Sequence, residues 1–216
     1  MKVLAMFAAS ILPCAALAQT TVTEGSTTTP RLNVDNDSGQ VYIYTGGFFP
    51  RGTAPRTFTF LWGFAGPAGN TTGYITPLLF EVVAGPDNPI YAVRSIGLGF
   101  PVSINSSPQT IPFLIAEGDT VTTNPAYTFG YVNAIVNAAG QEGLMSSGTV
   151  EMDYPEDGGA GVGGPKTLNN WMATGEGGIT LALGTTFGTS GADFPWVIFF
   201  PERTYSAQAE GIVHRQ

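Results

Sequence analysis

Cysteine and histidine are almost absent from this sequence. The one cysteine is Cys14, and the one histidine, His214, stands two residues from the C-terminal end. A histidine so close to the end of a chain is a poor general base, so a Ser–His–acid triad is not expected. Histidine or thiolate sites for zinc, copper or haem need several such ligands and are not expected either.

Charge is also scarce, and its balance is acidic. Charged residues make up 11% of the chain, with 16 Asp and Glu against 8 Lys and Arg and a net charge of −8. An acidic, sparsely charged surface repels phosphate backbones, which argues against nucleic acid as a partner. Beyond the N-terminus no apolar run approaches the ~18–20 residues of a membrane span, so we expect no membrane span.

The N-terminus reads as a signal peptide over residues 1–18. Lys2 supplies a positive charge, Val3 to Leu12 form an apolar stretch, and Ala16-Leu17-Ala18 is an A-x-A cleavage site before Gln19. A lipidated Cys14 is the alternative, but Pro13 precedes it where lipoproteins have a small residue. We therefore predict a secreted or periplasmic protein after cleavage near Ala18.

Cleavage at that point changes the composition of the mature chain. It removes Lys2 and Cys14, leaving seven basic against sixteen acidic residues and a net charge of −9. A chain without cysteine forms no disulfide, so packing must hold the exported protein together.

What the sequence does contain is typical of a β-sheet protein. Glycine (29) and proline (16) are abundant, and 43% of the residues are hydrophobic, which predicts short strands joined by turns around a core. The clearest strand is Arg56–Trp62, where Phe58, Phe60 and Trp62 alternate with smaller side chains.

Similar patterns recur along the chain and predict the whole fold. About ten strands follow at roughly 8–15-residue spacing, without an amphipathic helix of three turns. The fold is predicted to be all-β: a single antiparallel β-sandwich of jelly-roll type over residues 32–214, preceded by a Thr-rich arm at 19–31 that is either flexible or a loose edge strand.

Three further strand patterns bear on how the chain is paired. Residues 74–83 are apolar on both faces and, with 90–100, predict a hairpin in which Glu81 and Arg94 form a structural ion pair. Residues 110–117 predict one strand with alternate residues inward. Residues 194–200 and 204–213 predict a closing hairpin.

Two acidic segments are candidate cation sites. Asp35 and Asp37 follow Asn33 at alternate positions, as in calcium loops, but the twelfth position of an EF-hand would be Tyr44, so only a simpler calcium site or an Asx turn remains. Asp153 and Asp157 belong to an acidic, Gly-rich loop beginning at Glu151. That loop is a cation site, a source of catalytic carboxylates or a solvated surface segment.

Aromatic residues supply the candidate ligand surface. Trp62 and Trp196 lie in alternating strands and are expected to fill the core. Trp171 follows two asparagines in a polar neighbourhood and, together with Tyr154, is the candidate for an exposed platform that stacks on sugar rings, with core packing as the alternative.

No motif in the sequence specifies a chemistry, and three functions stay open. We favour a secreted, non-catalytic module that recognises carbohydrate or a cell surface, without a cofactor other than possible calcium. A glycan hydrolase would use paired carboxylates, drawn from Glu81, Glu117, Glu151 or Asp153. A structural protein would assemble by donating the strand at residues 19–31 to a neighbour. The oligomeric state is left open.

Overall fold

The structure is a computed structural model, and it describes residues 19–28, 33–34, 41–63, 72–84, 89–103, 105–136, 142–143, 149–153, 171–173, 182–188 and 204–213. Within these ranges the chain forms sixteen strand segments and no helix. Every pair of strands is antiparallel. The predicted all-β, antiparallel fold is confirmed, and none of the described residues forms a helix that would cross a membrane.

The strands form two sheets. The first sheet has the order β1-β16-β4-β12-β15, with β8 beside β4 and β2 beside β12. Its strands are β1 (Thr20–Gly25), β2 (Asn33–Val34), β4 (Thr53–Gly63), β8 (Asn105–Pro112), β12 (Thr149–Asp153), β15 (Thr204–Tyr205) and β16 (Ala207–Val213).

The second sheet has the order β13-β3-β10-β5-β6-β14, with β11 beside β10, β7 beside β5 and β9 beside β6. Its strands are β3 (Val41–Tyr44), β5 (Thr72–Val82), β6 (Ile90–Gly97), β7 (Phe100–Ser103), β9 (Ile115–Gly118), β10 (Tyr127–Val136), β11 (Glu142–Gly143), β13 (Trp171–Ala173) and β14 (Thr186–Gly188).

Strand β4 contributes the large aromatic side chains of the first sheet to the core, as its alternating pattern predicts. Phe58, Phe60 and Trp62 are fully buried. On the opposite face, the Thr59 hydroxyl shares a hydrogen bond of 2.9 Å with the hydroxyl of Thr110 on β8. A cross-strand threonine pair of this kind adds a modest stabilisation to the sheet.

Aromatic rings from both sheets meet in the core between them. Phe58 of β4 packs against Phe129 and Tyr131 of β10, with ring centroids 6.0 and 5.5 Å apart. Tyr42 of β3 stacks on Tyr131 at 4.7 Å. These centroid distances are typical of favourable aromatic pairs, and they show that the two sheets pack face to face as in a β-sandwich.

The second sheet is also buried on its other face. Strand β5 sends Ile75 and Leu79 into the core between the sheets and Leu78 and Phe80 into a second cluster with Val93 of β6. Ile75, Leu78, Leu79 and Phe80 are fully buried, so the central part of this strand is buried on both faces of the sheet, as the apolar pattern of residues 74–83 predicts.

The predicted hairpin of residues 74–83 and 90–100 is confirmed, but its second arm is not one regular strand. Strands β5 and β6 pair from Val82–Tyr91 to Leu78–Ile96. A bulge interrupts the register between Leu79 and Phe80, and the chain leaves β6 after Gly97 and re-enters the sheet as β7.

The prediction of a single strand over residues 110–117 is wrong. Strand β8 pairs with β4 in the first sheet, whereas β9 pairs with β6 in the second. The chain therefore crosses between the sheets at Phe113. The inward positions are nevertheless correct, because Ile111 and Phe113 are buried in the shared core and Ile115 packs against it.

Both ends of the described chain meet in the first sheet. Strand β1, from the Thr-rich arm, pairs along β16 from Thr20–Val213 to Gly25–Gln208, so the edge-strand alternative holds for residues 20–25. The other edge of β16 is taken by β4. Both edges of β16 are therefore occupied, by β1 and β4. The first arm of the predicted closing hairpin falls on residues 194–200, which lie outside the described part of the chain.

Candidate functional site

Trp171 is a core residue, and the predicted exposed platform at this position is wrong. It lies on β13 opposite Tyr44 of β3, and only 1% of its surface is exposed. Its ring meets Phe129 edge-on at 5.6 Å. Its indole Nε1 donates a hydrogen bond of 3.0 Å to Oγ of Ser26. That bond satisfies the ring's one donor, which is why a tryptophan beside a polar sequence can be fully buried.

The other predicted site residues are mostly outside the described ranges: Tyr154, Asp35, Asp37 and Asp157. Asp153 is described, and it closes β12 opposite Thr204 of β15. The predicted acidic loop from Glu151 therefore begins later, because Glu151 to Asp153 belong to a strand. Among the described residues, no group of three or more His, Cys, Asp or Glu side chains is placed to hold a metal ion.

Glu81 and Arg94 form the predicted ion pair. Nε of Arg94 donates to Oε2 of Glu81 at 2.5 Å. The bulge in the β5–β6 pairing makes Arg94 the extra residue of β6, since Phe80 faces Val93 and Leu79 faces Ser95. Bulges re-aim side chains, and this one leaves Arg94 within reach of Glu81. The side chains of Glu81 and Arg94 are 18% and 38% exposed, so the pair faces solvent.

The ion pair borders an open pocket of about 350 Å³. Strand β5 contributes Glu81, β6 contributes Arg94, and the segment after β9 contributes Asp119 and Thr123. The remaining lining residues are Val93, Gly118, Tyr127, Leu183 and Gly184. The volume lies at the lower end of the range of about 300–1,000 Å³ for small-molecule sites.

The pocket begins where the aromatic core ends. Glu81 follows Leu79 by two residues on β5, and Tyr127 precedes Phe129 by two on β10, so each shares a face with a core residue. The sheet register places Glu81 directly opposite Tyr127. The polar pocket is therefore continuous with one end of the rigid core.

Asn124 and Arg94 together hold the carboxylate of Glu81. Oδ1 of Asn124 accepts a hydrogen bond of 2.8 Å from the backbone N–H of Ala126, an Asx turn that fixes the asparagine side chain. Nδ2 of Asn124 then donates to Oε1 of Glu81, while Arg94 takes Oε2. Both carboxylate oxygens are thus engaged by side chains.

Asp119, which also lines the pocket, is likewise held by hydrogen bonds. Its backbone N–H donates to the carbonyl of Arg94 at 3.1 Å, and its own carbonyl accepts from Oγ of Ser95 at 2.6 Å. Its side-chain Oδ2 accepts a hydrogen bond of 2.5 Å from the hydroxyl of Tyr127. Asp119 is therefore tied to β6 through its backbone and to β10 through its side chain.

Tyr127 keeps its proton throughout the physiological pH range. Burial, together with the hydrogen bond to the Asp119 carboxylate, raises the pKa of Tyr127 to about 12. A phenol with a raised pKa stabilises the fold fully below its unfolded value of 10.0 and loses that contribution as the pH rises through 12. At neutral pH Tyr127 acts as a fixed donor to Asp119.

The sequence predicted only part of this site. The Glu81–Arg94 pair follows from a hairpin with complementary charges on facing arms, whereas Asp119, Asn124 and Tyr127 carry no motif and are joined to it by sheet register. The sequence signal that marks Asp119 is the turn Glu117-Gly118-Asp119, which is too common to indicate a site.

The chain matches no protein-family model, no curated protein and no solved structure at a significant level. No ligand, activity or site residue is therefore transferred to this chain from a relative.

Proposed function

We propose that this chain is an exported, non-catalytic β-sandwich module that binds carbohydrate through the pocket between Glu81, Arg94 and Asp119. Export is proposed from the signal-peptide pattern of residues 1–18. Because Trp171 is buried, the proposed ligand surface is this pocket and not the aromatic platform predicted at Trp171.

The observation that carries this proposal is the chemical make-up of the pocket. Arg94 brings hydrogen-bond donors, Asp119 an acceptor and Thr123 a hydroxyl, while Leu183 at the rim is 40% exposed. A sugar ring presents hydroxyls that both donate and accept, beside an apolar C–H face. The pocket offers the matching partners on side chains fixed by hydrogen bonds, which lowers the entropy lost on binding.

Binding is better supported than hydrolysis. A glycoside hydrolase needs one carboxylic acid to protonate the leaving group and a second carboxylate as base or nucleophile. In this pocket Glu81 accepts from Arg94 and Asn124, and Asp119 accepts from Tyr127, so no described contact assigns the role of the proton-donating acid to either carboxylate. The hydroxyl of Tyr127 donates its hydrogen bond to Asp119, so that donor is already engaged and Tyr127 does not supply the acid.

Assembly by strand donation is also less well supported. That function would use a free N-terminal strand, whereas β1 pairs with β16 of the same chain. The backbone N–H of Ser26 donates to the carbonyl of Ala207 at 2.9 Å just beyond that strand. Residues 20–26 are therefore built into their own sheet.

The experiment is a comparison of two carboxylate-to-amide variants by glycan array and calorimetry. Glu81→Gln removes the ion pair with Arg94, and Glu210→Gln makes the same charge change at an exposed position of β16. We expect the wild-type protein and Glu210→Gln to bind a common set of glycans, and Glu81→Gln to bind them at least about tenfold more weakly, because one charged hydrogen-bond network is lost.

Two outcomes would contradict the proposal. One is a wild-type protein that binds no glycan on the array. The other is a Glu81→Gln variant whose affinity equals that of Glu210→Gln while its thermal unfolding is unchanged, since the pocket would then play no part in binding.

A further inference from the structure

We infer that the pocket selects a neutral saccharide, one hydroxyl of which accepts a hydrogen bond from the Arg94 guanidinium while an adjacent hydroxyl donates to the Asp119 carboxylate. This inference rests on the proposed carbohydrate-binding function and names the ligand class for the same site.

Arg94 has donors to spare on the pocket side. Only its Nε is used within the described part of the chain, in the bond to Glu81. A guanidinium has five N–H donors in a planar fork, so the groups on Nη1 and Nη2 make no hydrogen bond to a described residue. The side chain is 38% exposed and is oriented by the ion pair. The ion pair through Nε therefore restrains a guanidinium that lines the pocket.

Asp119 has the complementary capacity. Its Oδ2 accepts from Tyr127, and among the described residues no donor reaches its Oδ1. The backbone bonds to Arg94 and Ser95 keep this carboxylate next to β6. A donor group and an acceptor group therefore border the same pocket, and each is immobilised by its neighbours.

The balance of charge in the pocket argues for a neutral ligand. Two carboxylates, of Glu81 and Asp119, face one guanidinium, and Arg94 is already paired with Glu81. A uronate carboxylate brought to Arg94 would lie beside Asp119, where like charges repel. An ammonium group brought to Asp119 would meet the guanidinium instead. A pair of neutral hydroxyls uses both groups without either repulsion.

The net charge of the whole chain also acts against the binding of acidic glycans. The proposed mature chain, without residues 1–18, has seven basic and sixteen acidic residues and a net charge of −9, which disfavours the approach of an anionic polymer. Leu183, on the turn that leads into β14, adds an exposed apolar side chain to the rim. The C–H face of a sugar ring would pack against it while the hydroxyls face Arg94 and Asp119.

The test is calorimetric titration with neutral and acidic oligosaccharides of equal length. The neutral probes are cello-, xylo-, malto- and manno-oligosaccharides, and the acidic probes are oligogalacturonate and alginate oligomers. We expect the wild-type protein to bind at least one neutral probe at least about tenfold more tightly than any acidic probe. This affinity for the neutral probe should change little between low and high salt, because no net charge is neutralised on binding.

Three variants assign the discrimination to named groups. Asp119→Asn keeps a carbonyl oxygen for Tyr127 but removes the charge, and we expect it to bind the acidic probes several-fold better. Arg94→Lys keeps the charge but loses the fork of donors, so it should bind the neutral probe several-fold more weakly. Glu117→Gln is the control, since this exposed carboxylate on β9 lies two residues from Asp119. It should leave the preference unchanged.

The outcomes separate this inference from the function on which it rests. Acidic probes that bind as tightly as neutral ones, or an Asp119→Asn variant that behaves like Glu117→Gln, would overturn the neutral-ligand inference and leave carbohydrate binding standing. A protein that binds none of the probes, neutral or acidic, would overturn both.

Discussion

Two glycines at the pocket differ in what surrounds them, although both adopt positive φ. Gly118, at the end of β9, has φ +98°, and a Cβ placed on it would overlap the backbone carbonyl oxygen of Arg94. Gly184, in the turn before β14, has φ +83°, and a Cβ there would meet no heavy atom within 4 Å. Gly118 is thus required for both its conformation and the close approach of β9 to β6, whereas Gly184 is required for its conformation alone.

We predict that Gly118→Ala costs more stability than Gly184→Ala. Gly184→Ala should lower the free energy of unfolding by about 1 kcal/mol, the cost of a left-handed backbone at a residue with a Cβ. Gly118→Ala should lower it by about 3 kcal/mol, because backbone strain adds to a clash with a backbone atom that cannot rotate away. Urea denaturation of the two variants measures the difference, and equal losses would contradict the close β6–β9 contact.

Side-chain chemistry at the pocket was predictable only where two residues face each other across one hairpin. The Glu81–Arg94 pair is such a case. Asp119 and Asn124 are 38 and 43 residues from Glu81 along the sequence. Asn124 bonds Glu81 and Asp119 lines the same pocket, and both lie in turns whose geometry no local pattern specifies. Trp171 was misjudged for the same reason: its partner, Ser26, is 145 residues away.

At the scale of elements, the existence of strands was easier to predict than their continuity. The alternation of Phe58, Phe60 and Trp62 predicted correctly which face of β4 is buried. No extra residue in β4 interrupts the alternation between Phe58 and Trp62. On β6 the bulge at Arg94 shifts the alternation by one residue, so Tyr91 and Val93 share a cluster with Ile96. An extra residue reverses the facing of everything beyond it, and the sequence carries no sign of it.

The change of sheet between β8 and β9 was missed for a related reason. Ile111, Phe113 and Ile115 alternate toward the core whether the strand stays in one sheet or crosses to the other, because both sheets face the same core. The pattern therefore predicts burial correctly and the topology incorrectly. Hydrogen-bond partners, with β8 beside β4 and β9 beside β6, decide the crossing.

A side-chain hydrogen bond links the segment after β1 to a strand that is distant in sequence. Nε1 of Trp171 on β13 donates to Oγ of Ser26, next to the end of β1. At Gly25, with φ +123°, a Cβ would lie 2.5 Å from the carbonyl oxygen of Ala207 and 2.9 Å from the ring of Phe129. The end of β1 therefore lies directly on the core, with no room for a larger residue.

We predict that Trp171 contributes to stability and not to glycan binding. Trp171→Phe should lower the free energy of unfolding by about 2–3 kcal/mol, because it leaves a cavity and removes the indole donor. Ser26→Ala should cost about 1 kcal/mol, and the double variant should cost about 1 kcal/mol less than the sum, which measures the shared hydrogen bond.

Chemical denaturation of the two single variants and the double variant provides these values, with calorimetry of each on the best glycan. A Trp171→Phe protein that is as stable as wild type but binds the glycan more weakly would restore the exposed platform at this position.

At the scale of the whole molecule, the proposed binding pocket adjoins one end of the buried core, and Tyr127 belongs to both. Aromatic residues of β3, β4 and β10 form the core between the sheets. The polar pocket stands at the ends of β5 and β10, where Glu81 and Tyr127 lie opposite each other in the sheet register. Glu81 and Arg94 are placed by packed strands, which hold side chains more firmly than free loops do. Asp119 lies in the turn after β9 and is held there by its hydrogen bonds to Arg94, Ser95 and Tyr127.

The most direct test of carbohydrate binding at this pocket is a crystal structure of the protein with its tightest neutral oligosaccharide. We predict a sugar ring in the pocket, with hydroxyls within hydrogen-bond distance of the Arg94 guanidinium and the Asp119 carboxylate and a C–H face against Leu183. A sugar bound elsewhere on the protein, with Glu81, Arg94 and Asp119 making no contact to it, would contradict the account.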